Sequence, residues 1–103
     1  GDSSHITTNG TSSNIEFFSA NSKTLRVNSL PTSFRALSSD SNISLTVPVE
    51  VKRDESANYE FLIEAGNILS CESSSTGISL FGSSASGATI NLISSDIVWN
   101  AGS

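Results

Sequence analysis

The sequence predicts an all-β fold: a two-sheet antiparallel sandwich, immunoglobulin-like in architecture, with a jelly roll or small barrel as the alternative. Three observations predict it. Apolar residues recur with period two from Asn14 onward. Turn signals separate short strand-like segments roughly every eight to twelve residues. No stretch of about ten residues keeps helical spacing with good helix formers.

The elements follow in order. Residues 1–13 are small and polar apart from Ile6. They read as a flexible polar lead-in, with a short strand at 5–8. Residues 14–103 read as one domain. Its first strands fall at 14–18, at 24–29 with Leu25 and Val27 on one side, and at 33–37 after Pro31. The clearest segment is 42–51. Ile43, Leu45, Val47, Val49 and Val51 fall on one face, and Asn42, Ser44, Thr46, Pro48 and Glu50 on the other. Strict alternation means a strand with one dry and one wet side. A polar turn at 52–57 leads to a strand at 58–64, with Tyr59, Phe61 and Ile63 inward. The two are expected to pair as an antiparallel hairpin. A turn at 65–67 precedes strands at 68–72, 78–81, 88–93 and 96–99, with loops at 73–77 and 82–87 between them. No internal repeat stands out, and the Cys…Trp…Cys spacing of antibody domains is absent.

Composition narrows the function classes. The chain has 103 residues, enough for one core. Charged residues are 15%, against roughly 25% in a usual soluble domain. Hydroxyls and amides fill the difference: 24 serines, eight threonines and nine asparagines. This profile suits an exported or surface protein. The net charge is −5, and only Lys52 and Arg53 among the cations are neighbours, so no nucleic-acid partner is expected. No apolar run approaches the roughly 18 residues that cross a bilayer, so no direct membrane insertion is expected.

Reactive groups are sparse. His5 is the only histidine, and it sits in the polar lead-in. A catalytic base must be held within reach of its proton. No Gly-x-Ser-x-Gly elbow occurs. Cys71 is the only cysteine, on the same face as Leu69, and reads as a small buried hydrophobe. One histidine and one cysteine do not make a zinc site. Asp40 with Asn42, and Asp54 with Glu55, lack calcium-loop spacing. The expectation is therefore no catalytic residue, no cofactor and no metal.

Four residues stand out as contact candidates. Pro48 lacks the N–H that a ladder needs, so it is expected on an edge strand or at a bulge. There Pro48 and Glu50 would either blunt the edge or border a partner strand. Trp99 and Tyr59 are the large amphipathic aromatics. They read as core anchors or as a sugar platform. The function expected is a non-enzymatic extracellular or cell-surface interaction module: an adhesin, a surface lipoprotein domain or a filament subunit. A protein partner, or self-association through an edge strand, goes with it. A carbohydrate-binding module using Trp99 or Tyr59 is the alternative, and a virion structural domain the second.

Overall fold

The computed structural model describes residues 4–19, 21, 23–28, 31–52, 60–71, 77–81 and 89–99. They form nine strands: β1 (Ser4–Thr8), β2 (Ile15–Phe17), β3 (Leu25–Val27), β4 (Thr32–Ala36), β5 (Ile43–Leu45), β6 (Pro48–Lys52), β7 (Glu60–Cys71), β8 (Gly77–Phe81) and β9 (Thr89–Trp99). No helix occurs among the described residues. The all-β expectation is met, but the antiparallel sandwich is not. Every pairing among the described strands is parallel.

The pairing offsets define the architecture. Ser4 pairs with Thr32, Ile15 with Ile43, Thr32 with Phe61, Pro48 with Gly77 and Glu60 with Thr89. The sequence offset is 28 for His5 and Ser33, across β1 and β4, and 29 for Arg35 and Glu64, across β4 and β7. Shorter offsets join Leu25 to Val49 and Ile43 to Leu69. The chain therefore winds in coils and stacks each coil on the one before, as a parallel β-helix. β1, β2 and β3 lie on the first coil, and β4, β5 and β6 on the second. β7 and β8 lie on the third, and β9 on the fourth. β7 and β9 each run along two faces. The six-stranded sheet of β1, β2, β4, β5, β7 and β9, sheet A, thus curls round two sides of the stack, while β3, β6 and β8 form a smaller sheet on the third.

The corner between the first two faces explains one glycine. A Cβ on Gly66 would overlap the Ser38 carbonyl oxygen and crowd that of Leu37. Only glycine lets the third coil bend under the second there. A register shift marks the same bend. Ala65 pairs with Ser94, but Ile68 pairs with Asp96, so β7 carries one extra residue.

Inward side chains stack in columns along the axis. One runs Ile15, Ile43, Leu69, Ile97; another Phe17, Leu45, Cys71, Trp99; a third Ile6, Phe34, Ile63, Leu92. Leu45 and Cys71 are matched here by their common offset from Ile43 and Leu69. Phe34 links the aromatics, with ring centroids 4.7 Å from Phe17 and 6.0 Å from Phe61, both edge-on. Phe61, Ile43, Ile63, Leu69, Val49 and Val51 are fully buried. Each such side chain contributes roughly 1.5–3 kcal/mol through burial.

Several expectations are corrected here. The 42–64 hairpin does not form. β5 and β6 belong to different sheets, and β6 pairs with β3 and β8, not β7. The physical reason is that alternation marks the dry side of a strand but not its partner. Parallel coils leave the same period-two trace as antiparallel hairpins. The immunoglobulin-like, jelly-roll and small-barrel readings fall with the hairpin. Pro48 does not lie on an edge strand. It opens β6, the central strand of its sheet, opposite Gly77. β3 pairs only with residues 49–51, so the first position of β6 needs no donor on that side. The segment expected as a short strand at 5–8 is β1, paired with β4 in sheet A.

Candidate functional site

Polar residues on the stack face mostly one another. Arg35 donates to Glu64 at 2.9 Å and Arg26 to Glu50 at 3.1 Å, each pair joining neighbouring coils. Arg26 also lies 4.2 Å from the Phe81 ring centroid. Asparagines bind the corner. Asn14 Oδ1 accepts from the Asn42 backbone N–H at 2.8 Å. Asn42 Oδ1 accepts from Asn67 Nδ2 at 2.9 Å and from the Ile68 N–H at 3.1 Å. Sequence reasoning missed this ladder. Its signal was Ser13-Asn14-Ile15 recurring as Ser41-Asn42-Ile43, one coil later.

Of the predicted contact residues, Pro48 and Glu50 lie two positions apart on β6, and Trp99 lies on β9 in the other sheet. Glu50 is taken up by Arg26. Pro48 and Trp99 are half-buried, on β6 and β9. Trp99 pairs with Cys71 at the end of an inward column and packs against the core. Tyr59 lies outside the described residues, as do the acidic pair Asp54 and Glu55 and the predicted loops at 73–77 and 82–87 in all but Gly77.

His5 is held on β1, with Nδ1 2.6 Å from Ser33 Oγ, and is exposed. No carboxylate is hydrogen-bonded to His5 among the described residues. No group of three or more His, Cys, Asp or Glu side chains there could hold a metal.

Two concave surfaces stand out among the described residues. The first is a groove of about 530 Å³ on the outer side of the second face. Glu16, Ser44, Ser70 and Val98 line it as one outward column through all four coils. Adjacent strands lie about 4.8 Å apart, so the column is roughly 14 Å long. Asn14 and Asn42 flank it. It presents two half-buried hydroxyls, amide groups and one exposed carboxylate. Such a surface can exchange hydrogen bonds with an extended polar chain. It holds no cation among its lining residues to take a phosphate.

The second is an apolar hollow of about 350 Å³ at the first coil, the mouth of the stack. Ile6, Phe17, Leu25 and Val27 line its wall, Phe34 and Val49 its floor, and Phe18 its lip. Glu16 and Arg26 are its polar rim.

No family model matches the sequence, and neither a curated protein nor a solved structure matches it.

Proposed function

We propose that the chain is a non-enzymatic interaction module of the extracellular or cell-surface kind, with the outward groove on the second face as its recognition surface. The observation that carries this reading is the Glu16–Ser44–Ser70–Val98 column. A groove crossing four coils in straight steps suits an elongated ligand rather than a compact one. Its hydroxyls, amides and single carboxylate suit a ligand that carries hydroxyl or amide groups of its own. The rigid coil stack keeps these groups in place, which lowers the ordering cost of binding. The serine-rich, weakly charged composition supports an extracellular setting.

Biolayer interferometry with the whole chain tests the reading. Linear cell-surface polysaccharides and extracellular-matrix proteins are the analytes. Binding to one of the two classes, weakened at least tenfold by Ser44→Lys with Ser70→Lys, is the expected result. Binding to neither class, or binding that the lysines leave intact, overturns it.

A further inference from the structure

We propose that the two ends of the coil stack dock head to tail, so that the first coil of one copy covers the last coil of another. The reading goes beyond the groove and uses different residues. Four large apolar residues are exposed among the described ones: Ile6 (51%), Phe18 (63%), Ile93 (44%) and Ile97 (45%). All four lie on the first or the last coil. Ile97 shares an inward column with Ile43 and Leu69, both 0% exposed, and Ile6 shares one with Ile63, also 0% exposed. Ile6 and Ile97 therefore lie on inward columns, and each is exposed on the side where no described strand covers it. Backbone pairing says the same. Among the described residues β1 and β2 are paired on one edge only, and so is β9 along its whole length.

A second copy matches both ends. β9 follows β7 round the same two faces. β7 already carries β4 and β5, which are joined by a wide corner. β1 and β2 are joined by a corner of the same length, set one coil earlier. A wide-cornered and a narrow-cornered coil thus pack together inside this chain, and the proposed contact brings the two corner types together in the reverse order on the first two faces. In the matching register Ile6 lies over Leu92, Ile15 over Ile97 and Phe17 over Trp99. Apolar meets apolar in these three inward columns, Thr8 meets Ser94 in a fourth, and β9 covers the side of the mouth formed by Ile6, Ile15 and Phe17. A symmetric β9–β9 contact would set the strands antiparallel and leave the mouth open. One head-to-tail contact covers both ends. Because it does not close on itself, it yields short filaments rather than a fixed dimer.

Cysteine mapping tests the register. Thr7 and Ile93 are exposed and occupy the same outward column. In the docked pair residue 7 of one copy sits one strand spacing, about 4.8 Å, from residue 93 of the next, within disulfide reach. Thr7→Cys and Ile93→Cys chains are mixed under a mild oxidant, with each variant alone as control. A 7–93 disulfide in the mixture, and a wild-type sedimentation coefficient that rises with concentration, are expected. Disulfides of 7 with 7 or 93 with 93, no cross-link in the mixture, or a wild-type chain monomeric throughout overturns the proposal. Adding Ser44→Lys and Ser70→Lys to the cysteine chains leaves the cross-link in place, so failure of the groove and failure of this contact are read separately.

Discussion

Asp40 shows how a single exposed side chain ties one coil to the next. Its Oδ1 accepts from the Ser12 backbone N–H at 2.8 Å and from Ser38 Oγ at 2.6 Å, and its Oδ2 from Ser12 Oγ at 2.5 Å. Ser12 is held at a φ of 55° to make this reach. The bonds to Ser12 and Ser38 favour the charged carboxylate and lower its pKa from 3.8 to about 2. A lowered carboxylate stabilises the fold above its unfolded pKa, and that contribution fades as the pH falls through the folded value. The urea midpoint of Asp40→Asn is therefore expected below wild type at pH 7. The gap should narrow between pH 4 and pH 2; a constant gap would remove the carboxylate from the argument. Val47 makes the apolar counterpart. It is 2% exposed, so Val47→Asp buries an unpartnered charge and is expected to cost roughly 3 kcal/mol or more. Ser44→Asp, on the groove side, is expected within about 0.5 kcal/mol of wild type. Urea unfolding of both variants checks the pair. Equal effects would reverse the assignment of dry and wet faces.

At the scale of the element, the corner at Gly66 controls how coils stack. Gly66→Ala drives a methyl into the Ser38 and Leu37 carbonyls, which are backbone and cannot swing away. A loss of several kcal/mol in urea unfolding is expected, about the size of a large core truncation. A variant as stable as wild type would mean the corner opens without cost. The same corner shows where strand reading from sequence stops. Residues 42–51 alternate without a break, yet they form β5 and β6 on two faces. Ile43, Leu45, Val47, Val49 and Val51 are all buried because the chain turns and keeps the same side inward. Alternation does not register a turn of that kind. Residues 60–71 show the opposite case. Ala65-Gly66-Asn67 carries the composition of a turn, but the chain runs through it as one strand with a bulge. Dry and wet sides were thus legible residue by residue, and strand ends and partners were not.

For the whole molecule, the winding was written in the sequence only faintly. Ser-Asn-Ile recurs once, at Ser13-Asn14-Ile15 and Ser41-Asn42-Ile43. Elsewhere the offset between coils drifts, from 24 at Arg26 and Glu50 to 29 at Arg35 and Glu64. Columns keep character rather than identity: Phe17, Leu45, Cys71 and Trp99 fill equivalent places. The groove was illegible for the same reason, since Glu16, Ser44 and Ser70 become neighbours only once the offsets are known. A coil stack of this kind has nearest-neighbour energetics, so stability falls toward its ends. β4, β5 and β7 are sandwiched between coils, whereas β1 and β9 have one neighbour each among the described strands. In dilute solution, amide exchange in β1 and β9 is expected to run at least about tenfold faster than in β7. Docking of ends would protect those same two strands and leave β7 unchanged. Exchange measured across a concentration series should therefore slow in β1 and β9 together. Slowing in β9 alone would indicate symmetric pairing of last coils. Uniform exchange along the chain at every concentration would mean that the coils unfold as one unit, with ends as firmly held as the middle.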